Sequence, residues 1–207
     1  MRISYACTVC NEFLEIQKLV TFLLENKRDQ DEIVILYDAA NGDERVEEYL
    51  RAKSVNSDFF WHQSEFEGHF ANWKNKLNTF CNGDWIMNID ADEQIPKTLL
   101  SYLPAVLESN PDTDLFWVPR VNTVEGLTPE DIAKWRWNVN EKGHVNWPDL
   151  QPRLYKKKQG LIWENKVHER LKGYSSYATL PLKEEWALLH PKDIDRQRRQ
   201  NSFYDSL

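Results

Sequence analysis

A mostly parallel sheet with helices packed on both faces, an α/β architecture, follows from three features of this 207-residue chain. Strand-length apolar runs alternate with amphipathic, helix-length segments through the first half. One of those runs, Asp84–Ile89, stops abruptly in the acids Asp90, Asp92 and Glu93. After about residue 110 the rhythm gives way to shorter runs, so a smaller mixed half follows the parallel one.

The elements can be justified in order. Ile3–Val9 is uncharged and apolar enough for a buried strand. Asn11–Asn26 carries Leu14, Ile16, Leu19, Val20, Leu23 and Leu24 at helical spacing. Glu32–Tyr37 reads as a second strand, and Asn41-Gly42 marks the turn before a helix at Glu44–Ala52. Asp58–His62 and His69–Phe80 give a third strand and a third helix, and Asp84–Ile89 a fourth strand. Pro96 opens a helix at about 97–108, since proline suits a helix's first turn. Beyond it the patterns predict a strand at Leu115–Arg120, a helix at 128–137, and shorter strands at 152–157 and 161–168. The polar, Trp-bearing stretch 138–150 reads as a mobile loop. From about 191, Ile194, Arg198 and Phe203 follow helical spacing in a charged tail. One domain over 1–207 is the simplest organisation, and no internal repeat is present.

Composition narrows the function classes. No run of 18 apolar residues exists, so no membrane span is expected, and no signal peptide is recognisable at the N-terminus. Three cysteines are an odd number, which favours a reducing compartment and a cytoplasmic location, with a peripheral seat at the membrane left open. Cys7 and Cys10 are spaced like a redox pair, but they end a strand instead of opening a helix, so core or site-lining thiols are expected. Residues 1–129 carry 11 Lys/Arg against 22 Asp/Glu, and residues 130–207 carry 15 against 11. A basic later half suits an anionic partner, a nucleotide-sugar diphosphate or an anionic acceptor, although solvated surface charge explains it too. The overall net charge of −7 argues against tight binding to a polyanion. Four of the nine tryptophans, Trp135, Trp137, Trp147 and Trp163, cluster where platforms for sugar rings or bases would be useful, or where a core needs bulk.

The chemistry concentrates at Asp90-Ala91-Asp92. Residues two apart in an extended chain point the same way, so both carboxylates can converge on a hard divalent cation that also holds phosphates. Spacing alone is weak, because Asp29/Asp31, Asp112/Asp114 and Asp193/Asp195 share it. Only the pair at 90 and 92 follows directly on an apolar strand, and open α/β sheets bind ligands beyond the carboxyl ends of their strands. The other three read as solvated acids.

Four segments carry a resemblance to a known family: Ser4-Tyr5-Ala6-Cys7-Thr8-Val9-Cys10-Asn11-Glu12, Phe70-Ala71-Asn72-Trp73-Lys74-Asn75, Gly83–Glu93 and Val167-His168-Glu169. In this order they resemble the family 2 glycosyltransferases with the GT-A (Rossmann-like) fold. More narrowly, the chain is similar to the lipopolysaccharide-core β-glucosyltransferase-like branch. The family's second strand usually ends in an acid followed by Ser, Gly or Thr; here Asp38 matches, and Ala39-Ala40-Asn41-Gly42 replaces the usual loop.

The resemblance implies a nucleotide-sugar half (1–110), an acceptor half (111–207), and metal-dependent transfer of a sugar to an acceptor hydroxyl, with inversion. It further implies Mn²⁺ or Mg²⁺, and a UDP-sugar is the favoured donor. Asp92 is expected on the metal, with Asp90 on it through water or on the ribose. His190, in Leu188-Leu189-His190-Pro191, is a candidate third ligand. Thr8, Glu12 and Asp38 should line the base and ribose pocket, and Lys74 and Asn75 should approach the phosphates or the donor sugar. Arg153 is expected near the diphosphate or acceptor. Glu169, between Lys166 and Arg170, is the candidate general base, with Asp149 as the alternative and His168 orienting Glu169 or lining the acceptor site. The acceptor stays open between a glycan, a lipopolysaccharide-like molecule, a modified nucleic-acid base and a protein side chain. Two other function classes compete: a non-catalytic nucleotide-sugar or glycan-binding module, and a nucleotidyltransferase. The latter usually needs a Gly-rich basic loop after the first strand, where this chain has Cys10-Asn11-Glu12-Phe13.

Overall fold

The computed structural model describes residues 1–55 and 58–205, the last three by backbone alone. Strands and helices alternate first: β1 (Ile3–Val9), α1 (Phe13–Asn26), β2 (Glu32–Asp38), α2 (Glu44–Lys53), β3 (Phe59–Ser64), α3 (Phe70–Phe80), β4 (Trp85–Asn88) and α4 (Lys97–Ser109). The later half holds β5 (Leu115–Glu125), α5 (Pro129–Trp135), β6 (Leu150–Lys156), β7 (Ile162–Glu164), β8 (Arg170–Lys172), β9 (Tyr177–Thr179), β10 (Leu188–Asp193) and α6 (Ile194–Asp205). Among the described residues, eight strands form one sheet in the order β10-β5-β6-β4-β1-β2-β3, with β9 also on β5. Every pairing is parallel except those of β6, which runs antiparallel between β4 and β5.

Alternation along β1 and β2 builds the two faces. Ile3, Tyr5, Cys7 and Val9, with Ile33, Ile35 and Tyr37, meet Ile16, Leu19 and Leu23 of α1, Val46 and Leu50 of α2, and Leu99, Leu103 and Leu107 of α4. Ala6, Val34 and Leu36 pack on the other face against Ala71, Trp73 and Leu77 of α3, joined by Trp163 and Leu171 from the β7–β8 hairpin. The carboxyl ends of β1, β2, β4, β5 and β10 and the amino end of β6 therefore share one edge. That edge draws on both halves of the chain.

The later half departs from expectation in definite ways. The strand expected at 161–168 ends at Glu164, because Asn165 and His168 take left-handed backbone (φ 78° and 54°) and turn the chain into β8. Positions 138–150 are not a plain loop: Val145 bridges both Val139 and Asn122, and the Val145 N–H donates to the Asn122 carbonyl at 2.9 Å. β5 runs on to Glu125, and residues 188–193, partly assigned to the helical tail, form a strand paired with it. Leu14, expected among the packed positions of α1, is 63% exposed. The helix expected at 128–137 is shorter, closed by a Thr128/Asp131 capping box and a left-handed Arg136. The Phe203 side chain lies outside the described residues. No described helix is long and apolar enough to cross a membrane.

Gly83 sets where β4 begins. A Cβ there would lie 2.6 Å from the Ser4 nitrogen and 2.9 Å from the Trp85 carbonyl oxygen, both backbone atoms that cannot swing away. Gly83→Ala should therefore cost about 1–3 kcal/mol, read by calorimetry as a fall in Tm of roughly 2–10 °C. An unchanged Tm would show that the approach of β4 to β1 is slack.

Candidate active site

Strand β4 ends one residue before Ile89, and the chain turns immediately. Asp90 and Asp92 thus sit on a turn, not on an extended strand, and their carboxylates go to different partners. Asp90 takes both terminal nitrogens of Arg153: Nη1 donates to Oδ1 at 3.0 Å and Nη2 to Oδ2. Arg153 Nη2 also donates to Glu93 Oε1 at 2.7 Å, and Nη1 lies 3.3 Å from Asn88 Oδ1. Glu93 in turn accepts from the Asp90 backbone N–H at 3.0 Å and from Arg120 Nη1 at 3.0 Å. Arg153 is only 3% exposed, so its charge has to be matched inside the protein. Burial works against the ionised form of Asp90, but Arg153 and then Lys74 outweigh it and hold its carboxyl below the usual range.

Asp92 faces a different set. His190 Nε2 lies 3.3 Å from Asp92 Oδ2, with Arg196 Nη2 at 3.5 Å and Lys192 Nζ at 3.6 Å from the same oxygen. Burial raises the Asp92 carboxyl's pKa, and the hydrogen bond and charge of His190 more than reverse that. His190 and Lys192 point the same way because they are two apart on β10. Arg196 arrives from α6 and is held by Glu15 at 2.5 Å and by Glu12 at 3.9 Å.

Two cavities meet at Asp92 among the described residues. The larger, about 940 Å³, lies over the ends of β1 and β2 and is lined by Thr8, Cys10, Glu12, Asp38, Asn41 and Arg196. The smaller, about 530 Å³, is lined by Lys74, Asp90, Arg153, Trp163, Glu169 and His190, among others. Thr8, Glu12, Phe70, Asp92 and Gln200 belong to both walls. A ligand with two bulky ends and an anionic middle fits this shape.

The expected site residues are distributed as follows. Thr8, Glu12 and Asp38 line the larger cavity, but Asp38 is largely engaged in holding its own loop: it accepts from the backbone N–H groups of Ala40 and Phe66 at 3.0 and 3.2 Å. Lys74 is in the smaller cavity, 3.0 Å from Glu169 Oε1 and 4.7 Å above the Trp163 ring. Asn75 is not brought in; its amide is bound at both ends by the Trp163 backbone, donating and accepting at 2.8 Å. Glu169 and His168 lie at the tip of the β7–β8 hairpin on the cavity wall. Asp149 also lines it, but as a saturated acceptor: Arg120 donates from Nε and Nη2 at 2.8 and 2.7 Å, Asn122 at 2.8 Å, and Gln151 at 2.6 Å. Burial raises its pKa, yet Arg120 keeps the carboxyl below the ordinary range. With its lone pairs spent and its basicity lowered, Asp149 is poorly suited to be a general base.

The donor set decides what a cation would find. Asp90 is committed to Arg153, so the triad expected from Asp90, Asp92 and His190 is not assembled. No group of three or more potential ligands is found among the described residues. Asp92 and His190 do converge, and a hard divalent ion bound through one carboxylate with substrate phosphates and water needs little more. These two residues fit such an ion; Asp90 does not.

Sequence reasoning missed Arg120, Asn122, Lys192 and Arg196. Lys192 was legible as the period-two neighbour of His190 had the strand been carried past 191. Of the clustered tryptophans, Trp137 and Trp163 reach the cavity wall, while Trp135 packs against Trp137 in a tilted arrangement with ring centroids 4.6 Å apart. Two of the other Asp-x-Asp pairs are structural, not solvated: buried Asp31 accepts from the Ile3 N–H at 2.8 Å, and buried Asp114 from Lys158 at 2.6 Å. Cys10 donates to the Asn41 carbonyl at 3.2 Å, and burial and Asp38 push its thiol up to about 12.

A parallel sheet with one antiparallel insertion, ending in an acid-bearing turn beneath a two-part cleft, is the GT-A architecture. The chain belongs to glycosyl transferase family 2, whose model matches residues 4–183. Among solved structures it is similar to S. aureus TarS 1–349, with TM-score 0.66 and 14% identity over 92% of this chain and 60% of that one. It also matches the same protein in complex with UDP (TM-score 0.61, 15% identity, 87% and 61% of the two chains). A third match is the complex with UDP-GlcNAc (0.62, 15%, 93% and 59%). The chain thus spans about three fifths of the length of these solved chains. No curated protein sequence matches it.

The two acids separate by their partners. Asp90→Asn strips a buried guanidinium of one partner and should cost about 3 kcal/mol, the low end for such a pair because Glu93 remains. Since the folded carboxyl titrates below its unfolded value, that contribution is full above about pH 5 and fades as pH falls through 4 and below. The Tm gap between wild type and Asp90→Asn should accordingly be constant from pH 7 to about pH 5 and begin to narrow as pH falls below about 4, closing only below the titration of the folded carboxyl. A gap independent of pH would mean that the Arg153 pair contributes no stability.

Proposed function

We propose that this chain transfers a sugar from a nucleotide-sugar, with UDP the favoured nucleotide, to an acceptor hydroxyl with inversion at the anomeric carbon. The observation that carries the reading is the position of Asp92 on the wall shared by the two cavities, ringed by His190, Lys192 and Arg196. The nucleoside fits the larger cavity beside Thr8, Glu12 and Asp38, the diphosphate lies at the cationic waist, and the sugar enters the smaller cavity beside Lys74 and Glu169. TarS has been solved with UDP and with UDP-GlcNAc, which supports this class of donor.

Asp92 and His190 would hold a divalent cation, Mn²⁺ or Mg²⁺, which would supply positive charge beside the diphosphate. Lys192 and Arg196 add fixed charge on the same side, where negative charge grows as the bond breaks. The acceptor oxygen attacks the anomeric carbon, the bond to the diphosphate oxygen breaks with its electron pair, and the acceptor's proton passes to Glu169. Lys74, 3.0 Å away, holds that carboxylate at the cavity wall. Trp137 and Trp163 on the same wall favour a glycan as acceptor, since aromatic faces suit sugar rings. The narrower assignment to the lipopolysaccharide-core branch rests on the four sequence segments alone.

A nucleotidyltransferase is disfavoured by the turn after β1. Glu12 accepts there from the Cys10 and Asn11 backbone N–H groups at 3.0 and 3.1 Å, so the place where a triphosphate would be cradled already holds a carboxylate.

The test is release of UDP from a UDP-sugar panel with and without Mn²⁺. Glu169→Gln should lower turnover about 10²–10⁴-fold with UDP affinity kept, and Asp92→Asn should abolish the Mn²⁺-dependent activity without unfolding the chain. Pyrophosphate as product would identify a nucleotidyltransferase, and UDP-sugar binding without release a non-catalytic module. Normal turnover in both variants would falsify the mechanism.

A further inference from the structure

We propose that Asn75 is a positioning residue: it holds the β7–β8 hairpin in register against α3 and thereby sets where Glu169 stands on the wall of the smaller cavity. The catalytic consequence rests on the function proposed above; the mounting of the hairpin does not.

The hairpin needs outside support. Its two strands are three residues each and, among the described residues, pair with no strand but each other. A lone two-stranded ribbon is marginally stable in water. Trp163 and Leu171 pack with Ala71, Trp73 and Leu77 of α3, but apolar contact is non-directional and leaves a hairpin free to slide along the helix. Asn75 removes that freedom. Its Nδ2 donates to the Trp163 carbonyl at 2.8 Å, and its Oδ1 accepts from the Trp163 N–H at 2.8 Å. One side chain thus takes both polar groups of that backbone residue, as a third strand would. Asparagine carries a donor and an acceptor side by side at its tip; aspartate lacks the donor and leucine lacks both.

The position fixed at Trp163 is passed on within the hairpin. Trp163 is the register partner of Leu171 and Glu164 that of Arg170, and Glu169 directly precedes Arg170. Glu169 meets α3 again through Lys74, the neighbour of Asn75, at 3.0 Å. The Trp163 indole is held as well: Nε1 donates to Tyr155 Oη at 3.1 Å, and that hydroxyl donates at 2.9 Å to Asn78 Oδ1, three residues beyond Asn75 on α3. The Lys166 carbonyl accepts from the Phe70 N–H at 2.9 Å, which satisfies one of the open donors in the first turn of α3. Asn75 itself is on neither cavity wall, so it can act on a substrate only through what it holds.

The experiment joins hydrogen–deuterium exchange to kinetics in Asn75→Leu. Backbone exchange across 161–172 should quicken about 10-fold, while β1 and β2 exchange as in wild type. With a UDP-sugar donor, kcat should fall about 10²-fold at unchanged UDP affinity. In a Glu169→Gln background the same substitution should cost little further, because a residue that acts through Glu169 then has nothing left to position. Circular dichroism checks folding, and Asn75→Asp, which keeps the bond from the Trp163 N–H, takes its place should Asn75→Leu fail to fold. Unchanged exchange across the hairpin would overturn the proposal. So would a lowered Tm with kcat kept, or the full loss of kcat repeated in the Glu169→Gln background. If wild type releases no UDP from any sugar donor, the proposed transfer is lost, while the exchange rates still decide whether Asn75 holds the hairpin.

Discussion

The cleft depends on a buried guanidinium. Arg153 sits on the antiparallel strand β6, almost without solvent contact, and an unpaired charge there would cost several kcal/mol. Asp90 and Glu93 answer it from the turn after β4, and Glu93 also holds Arg120 on β5. Three neighbouring strands are thus fastened at one edge of the sheet by one charge cluster. With Asp90 spent on that fastening, Asp92 is left as the acid of the turn that faces both cavities. Two acids two residues apart do different work because only one of them is within reach of β6.

This division explains what could and could not be read in the chain. The first four helices and β1, β2 and β4 were legible because each buries a continuous apolar face or run, and the sequence pattern reports burial directly. The Asp90/Asp92 pair stood out for the same reason, since an apolar run ending in acids is visible locally. What each acid binds was not visible: Arg153 lies 63 residues beyond Asp90, and nothing in the spacing says which of several arginines will arrive. The short strands β7 to β9 were blurred because three-residue strands carry almost no periodic signal. β10 was cut short at Pro191, whose missing N–H is tolerated on an edge strand. Asn75 shows the opposite failure: a polar residue beside Lys74 in a suggestive segment turned out to fasten the β7 backbone.

The uneven charge of the chain takes on a more specific meaning in the fold. The cationic later half does meet anions, but many of them belong to the protein's own earlier half: Arg153 to Asp90 and Glu93, Lys192 and Arg196 to Asp92, Arg196 to Glu15. Asymmetry in sequence is partly consumed as internal pairing. What is left for a ligand is local: Lys192 and Arg196 stand beyond good hydrogen-bonding distance from Asp92, so their donors are incompletely satisfied by it. A net charge of −7 and a cationic waist in the cleft are therefore compatible.

The two sides of that waist are held by different forces. Thr8, Asp92 and the turn after β4 belong to strands and loops seated on the apolar clusters, where packing makes position rigid. Helix α6, which brings Arg196, contributes no described residue to either apolar cluster and is tied down through Arg196 to Glu15 and through Arg198 to Asp131. Ion pairs of this exposure are weak individually and are screened by salt, whereas the strand edge is not. Arg196 is at once a clamp on α6 and a neighbour of Asp92, so whatever anion enters the waist competes with Glu15 and Glu12 for the same guanidinium. The wall of the cleft supplied by α6 is seated by charge, and the wall supplied by the sheet by apolar packing.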